Sequence, residues 1–239
     1  MKLLALDSSG LVASVAILEN DITVAEYTIN HKKTHSQTLL PMLDEVKKMT
    51  ELDMSSIDAI AVAAGPGSFT GLRIGAATAK GLGLALNIPI ISVPTVDALA
   101  YNLYAADKII CPLMDARRNQ VYTGLYEFTA NKDKNEQYVL NTIVEQCAVD
   151  ISEIVSRINE LSREVIFLGD GVAVYKEKIA EIITVPYSFA PASCNRQRAA
   201  AVGVLGTALL KAGKIESAAE HAPNYLRLSQ AERERQGKE

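Results

Sequence analysis

The chain has 239 residues, 49% of them hydrophobic and 22% charged, with a formal net charge of -4. That length holds one large domain or two modest ones with real cores, and the composition excludes wholesale disorder. A net negative chain lacks the clustered Lys and Arg that phosphate neutralisation needs, so nucleic acid is not its obvious direct partner. Cys111, Cys147 and Cys194 are odd in number and widely spaced, without a Cys-x-x-Cys pair. They read as reduced thiols in a cytosol rather than as a disulfide framework or a zinc site. The apolar run Leu3–Leu6 stops at Asp7, too short for a signal-peptide core, and no window approaches a membrane span.

In chain order, Lys2–Asp7, Val12–Leu18 and Ile22–Ile29 read as strands parted by Ser8-Ser9-Gly10 and Glu19-Asn20-Asp21. Ser36–Met49 carries Leu39, Leu40, Leu43 and Val46 at the spacing of an amphipathic helix. Ala59–Ala64 is a buried strand, Thr70–Leu86 a helix, Ile90–Val93 a strand and Thr95–Tyr104 a helix. A similar order follows. Ile109–Met114 ends at Asp115, Ala116–Asn119 turns, and Gln120–Phe128 and Gln137–Val144 are strands. Ile151–Leu161 has helical spacing, and Val165–Leu168 is a strand stopped by Gly169-Asp170-Gly171, with a helix after it. Two like layouts predict two like α/β domains, 1–105 and 106–218, meeting at a cleft. The tail, 219–239, ends in Glu232-Arg233-Glu234-Arg235 and is expected to fray.

This duplicated layout resembles the actin, Hsp70 and sugar-kinase superfamily. The resemblance implies that two strand-Asp hairpins grip ATP phosphates and magnesium between the domains. Asp7-Ser8-Ser9-Gly10 keeps that chemistry: a carboxylate for hydrated magnesium and small residues that admit a phosphate. Asp115-Ala116-Arg117-Arg118-Asn119 lacks the glycine that close approach requires, and its arginines crowd the turn. The expectation is a degenerate cleft with a vestigial phosphate loop (Asp7, Ser8, Ser9, Asp115), no intrinsic cofactor, and at most weak ATP or ADP binding with magnesium. The other reading is that Asp7 and Asp115 simply terminate strands.

Gly65-Pro66-Gly67-Ser68-Phe69-Thr70-Gly71 is neither a dinucleotide fingerprint nor a P-loop. Ser68 or Thr70 can cap the following helix from within. Glycine inside a helix costs about 1 kcal/mol against alanine. Gly71, Gly75, Ala79 and Gly83 nevertheless recur every four residues. Either another backbone approaches this stripe from a partner, or the helix is internal to one monomer. His31 and His35 have metal-pair spacing, but His31 sits in a Lys-Lys-Thr turn before the helix and no Glu follows it. No Gly-x-Ser-x-Gly is present, so neither a metal centre nor a catalytic residue is expected.

Five pieces, in order along nearly the whole chain, resemble the TsaB (YeaZ-like) family. They are Leu4–Ser9, His35–Pro41, Gly65–Gly75, Asp115–Tyr122 and Pro223–Arg227. The resemblance implies a cytoplasmic, non-catalytic subunit in threonylcarbamoyl modification of tRNA. It would bind a TsaD-like catalytic subunit, join a TsaE-like ATPase, pair with itself, and reach tRNA only indirectly. It also implies that the partner-binding surface is Gly71, Leu72, Gly75, Ala76, Ala79, Leu82 and Gly83. The lead-in Gly65, Pro66, Gly67, Ser68 and Thr70 would hold the helix start in place. The alternative is an ATP-binding kinase or ATPase of the same superfamily.

Overall fold

A computed structural model describes residues 1–31, 33–131 and 138–227. Strand β1 (Lys2–Asp7) lies at the middle of a five-stranded sheet ordered β3-β2-β1-β4-β5. Strand β2 (Ala13–Glu19) runs antiparallel to it and β3 (Ile22–Ile29) antiparallel to β2; on its other side β4 (Ala59–Gly65) and β5 (Ile90–Pro94) run parallel. The unbroken apolar character of β1, β2 and β4 follows from burial on both faces. Leu4, Leu6, Val15 and Val62 point to α1 (His35–Met49) and α2 (Phe69–Leu86), meeting Leu39, Met42, Leu43 and Ala79. Leu3, Ala5, Ala61 and Val93 point to the opposite face. Each such Leu or Val side chain contributes about 1.5–3 kcal/mol when fully buried.

The second sheet is ordered β10-β9-β6-β7-β8. Its strands are β6 (Ile109–Asp115), β7 (Gln120–Ala130), β8 (Tyr138–Asp150), β9 (Val165–Leu168) and β10 (Tyr187–Phe189). Read from β8 to β10, this is the topology of the first sheet: an antiparallel three-strand meander followed by two parallel strands. Helices α4 (Ile151–Leu161) and α5 (Gly171–Ile182) cover one face through Ile154, Ile158, Tyr175 and Ile179. The other face receives Val96, Leu99 and Ala100 of α3 (Thr95–Ala100). The two α/β units therefore share α3 as a common wall. Across it the Tyr126 hydroxyl donates to Asp97 Oδ1 at 2.7 Å.

Several expectations need correction. The helix expected over Thr95–Tyr104 is α-helical only to Ala100 and finishes as a 3-10 turn, Tyr101–Leu103. The strand expected over Gln137–Val144 extends to Asp150; residue 137 lies outside the described residues. Strand β10 and helix α6 (Ala199–Lys211) have no counterpart among the elements expected from the sequence. Helix α6 lies within the 106–218 span in sequence but packs on the first unit. Its Ala199 and Val202 pack on the first sheet, and its Gly203 and Gly206 sit against Leu18 and Ala61. Small residues on that side let the helix lie close to the strands. The tail expected over 219–239 does not fray at its start. Glu216 bridges to Ile90, and Ala218 and His221 are buried. The charged cluster from Glu232 onward lies outside the described residues.

Candidate functional site: the interdomain cleft and the glycine helix

The cleft begins where β1 ends. Asp7 is buried, and its Oδ1 accepts both the Ser9 amide, at 2.9 Å, and the Ser9 hydroxyl, at 2.6 Å. Burial pushes the Asp7 carboxyl above its ordinary value, against the Ser9 hydrogen bonds and the His35 charge, which lower it. The Ser8 hydroxyl donates to the Gly71 carbonyl at 2.9 Å, and the Ser9 carbonyl accepts the Ser68 amide at 2.7 Å. The Ser8 and Ser9 hydroxyls and the Ser9 amide, donors that would suit a phosphate, are thus engaged by the chain itself.

The same contacts explain the glycine run. A Cβ on Gly67 would lie 2.4 Å from the Ser9 carbonyl oxygen, and one on Gly71 2.1 Å from that of Ser8. At Gly75 it would meet the Ser8 hydroxyl at 2.6 Å, and at Gly83 the Ala218 methyl at 3.1 Å. Gly65, at φ +123°, has the Asn224 carbonyl 2.1 Å from its Cβ position. The Gly65–Pro66 peptide is cis. Ser68 caps α2 by accepting the Gly71 amide at 3.3 Å.

The stripe assigned to a partner accordingly turns inward. Gly71, Leu72, Gly75, Ala76, Ala79 and Gly83 are buried in the monomer, and Leu82 is half-buried against the first core. The close neighbours of these glycines come from the first hairpin and the tail of the same chain. The outward face of α2 carries Thr70, Arg73, Ala77, Gly81 and Leu84. A Cβ on Gly81 would meet nothing within 4 Å.

The second hairpin forms the facing wall. Arg117, Arg118 and Asn119 all have positive φ, and Asp115 Oδ1 accepts the Arg117 amide at 2.9 Å and the Tyr175 hydroxyl at 3.2 Å. Such backbone is uncommon for residues other than glycine. Both arginine side chains are exposed at the lip rather than folded into the turn. The Tyr175 hydroxyl is pushed up to about 12, first by burial and then by Asp115.

The cleft holds a cavity of about 340 Å³, bounded by Ser9, Ser68, Asp115, Arg117, Asp170 and Tyr225 among others. Burial raises the Asp170 carboxyl above its ordinary value, with Arg196 opposing. The Pro-x-Tyr-Leu-Arg motif is legible in the sequence, but its place across this cleft is not.

The histidines go separate ways. His35 starts α1, and its Nε2 lies 2.8 Å from the Gly10 carbonyl. Thr34 precedes α1 without a side-chain cap. His221 belongs to a cluster the sequence did not suggest. Its Nδ1 is 2.8 Å from Glu216 Oε1 and 3.0 Å from Ser92 Oγ, while its Nε2 has no partner. A catalytic serine would sit at the nitrogen opposite the carboxylate. Here both groups share one nitrogen, which makes the cluster an anchor for the tail.

Two α/β units of one topology, joined through a shared helix and facing across a cleft, define the duplicated actin and sugar-kinase-like class. Residues 23–235 match the family model described as TsaD: tRNA N6-adenosine threonylcarbamoyltransferase. The chain is 34% identical over 234 residues to the tRNA threonylcarbamoyladenosine biosynthesis protein TsaB of Bacillus subtilis, covering 97% of this chain and 96% of that one. It is 30% identical over 174 residues to TsaB of Escherichia coli, 72% of each. YeaZ from Pseudomonas aeruginosa superposes with a TM-score of 0.78 at 26% identity, covering 94% of this chain and 99% of that one. The chain belongs to the TsaB/YeaZ family of tRNA threonylcarbamoyladenosine biosynthesis proteins.

Proposed function

We propose that this chain is a non-catalytic, cytoplasmic subunit that docks a TsaD-like catalytic subunit on the outward face of α2. The observation that carries the reading is Gly81. The other glycines of α2 each have a neighbour that a Cβ would strike, whereas Gly81 faces open space. Its cost in helix stability, about 1 kcal/mol, has no offset inside the monomer. Thr70, Arg73, Ala77, Gly81 and Leu84 recur at intervals of three and four, and Leu84 is 65% exposed. Helix α1, which packs beside α2, adds Leu40 at 53% exposure. Small residues flanked by exposed apolar ones suit a second helix at close range.

The same face, self-complementary about a two-fold axis, closes a homodimer when the catalytic subunit is absent. A TsaE-like ATPase joins the assembly, and tRNA is reached through it. The engaged donors of Ser8 and Ser9 argue against a kinase or ATPase, which would need them for phosphate. Co-purification tests the reading. The TsaD-like subunit of the same cell should co-elute with this chain and transfer threonylcarbamoyl faster in its presence, while this chain alone transfers none. Transfer by this chain alone, or a TsaD-like subunit indifferent to it, would overturn the assignment.

A further inference from the structure

Arg73 is the charged side chain on the outward face of α2, beside Thr70, Ala77, Gly81 and Leu84. The other cation of the helix, Lys80, turns its Nζ to the Ala219 and His221 carbonyls at 3.1 and 2.8 Å. Arg73, Ala77 and Gly81 follow one another at every fourth residue and so share one line along the helix. Two turns and a little more, about 12 Å, separate the Arg73 backbone from that of Gly81.

Two rings hold the guanidinium still. Its carbon lies 4.0 Å from the centroid of the Phe69 ring, and its Nε donates to the Tyr225 hydroxyl at 3.3 Å. The Tyr225 ring in turn lies 4.8 Å from that of Phe69. Tyr225 belongs to the tail, which is fixed on both sides of α2's first turn: the Asn224 amide donates to the Ala64 carbonyl at 2.6 Å, and residues 216–221 are held by Lys80 and the buried His221 cluster. A cation already ordered by a ring face and a phenol loses little further freedom when it binds.

What Arg73 lacks is an anion. Among the described residues no carboxylate pairs with it, and its Nη1 and Nη2 have no hydrogen-bond partner. Arg157, Arg163 and Arg198, by contrast, each pair with a glutamate. The free edge of a planar guanidinium matches a carboxylate with two parallel bonds. RNA phosphate would call for a cluster of such cations, and here one stands alone on a chain of net charge -4. Helix α2 contains neither Asp nor Glu. A second copy packed α2 against α2 therefore brings Arg73 no carboxylate, whereas an acidic side chain on a different subunit does.

We propose that Arg73, positioned by Phe69 and Tyr225, anchors a carboxylate of the catalytic subunit and so sets the preference for that subunit over a second copy of this chain. This rests on the docking face assigned above and names the residue that gives it specificity. The test is calorimetric titration of the TsaD-like subunit into the full chain, with light scattering of the chain alone to follow the homodimer, for Arg73→Gln, Arg73→Lys, Tyr225→Phe and Gly81→Trp. Arg73→Gln should lower affinity for the catalytic subunit about tenfold or more and flatten its dependence on salt, with the homodimer unchanged. Arg73→Lys keeps the charge without the fork and should restore only part of the loss; Tyr225→Phe, which removes the acceptor for Nε, should fall between. Circular dichroism checks that each variant is folded; if Arg73→Gln is not, Arg73→Lys and Tyr225→Phe decide by the same comparison of complex and homodimer. A folded Arg73→Gln that binds the catalytic subunit at parental affinity, or that weakens the homodimer equally, overturns the anchor, as does a loss confined to tRNA binding. If Gly81→Trp is still defective in that case, the docking face stands without its anchor; if Gly81→Trp also binds as the parent does, both fall.

Discussion

The Ser8 hydroxyl donates to the Gly71 carbonyl across 63 residues of sequence, at 2.9 Å, and the first hairpin thereby rests on the first turn of α2. This one bond ties the two most distinctive motifs of the chain together. It explains why the glycines face inward and why the phosphate-loop hydroxyl is engaged.

Glycines of one helix should then respond oppositely to alanine. At Gly71 the added methyl would collide with backbone, the Ser8 carbonyl oxygen, which flexible side chains cannot relieve. Overpacking of that kind costs about 1–3 kcal/mol. At Gly81 it meets nothing, and the helix gains about 0.5–1 kcal/mol. Urea denaturation of Gly71→Ala and Gly81→Ala should move the midpoint down for the first and up for the second.

Much of this was legible before the fold. The limits of β1, β3, α4 and β9 follow from apolar runs bounded by turn residues. Periodicity places Gly71, Gly75, Ala79 and Gly83 on one stripe, but the direction it faces is set by Ser8 and Ala218, far away in sequence. Helix α6 is almost wholly small or apolar, so no amphipathic face marked it, and its destination on the first sheet is a tertiary fact. Strand β10 has three residues, too few for an alternating pattern. The contacts of residues 224, 225 and 227 with both units could not be read from their motif.

Asp7 should give the fold a measurable pH dependence. Burial raises its carboxyl above the unfolded value, so the folded state holds the proton more tightly. Its contribution is full below the unfolded value, near 3.8, and is lost as pH rises through the folded value. Asp97 and Asp170, also raised by burial, act in the same sense. Asp7→Asn should keep the acceptor for Ser9, flatten the slope of stability against pH above the unfolded value, and raise stability at the neutral end. Denaturation midpoints across that range measure it.

The joint between the units should depend on Tyr126. Its hydroxyl is the donor to Asp97 on the shared helix, and burial pushes its pKa far up, with the Asp97 charge adding to the shift. Tyr126→Phe leaves a half-buried carboxylate without its donor, at a cost of about 1–3 kcal/mol. Adding Asp97→Asn should recover part of the loss, so that the two changes are not additive. Thermal unfolding of the two single variants and the double variant completes the cycle.

The outward face of α2 can be tested without disturbing what lies beneath it. Gly81→Trp and Ala77→Arg place bulk where the monomer has space or solvent, so melting temperatures should stay near that of the parent chain. Gly75→Leu, by contrast, drives a side chain into Ser8 and should unfold the protein. The deciding measurement is size-exclusion chromatography with light scattering on Gly81→Trp, alone and mixed with the TsaD-like subunit. The account predicts a folded monomer, with affinity for the catalytic subunit lowered about tenfold or more, as when an anchor at the centre of an interface is disrupted. A folded Gly81→Trp that still forms both the homodimer and the complex at parental affinity would contradict it.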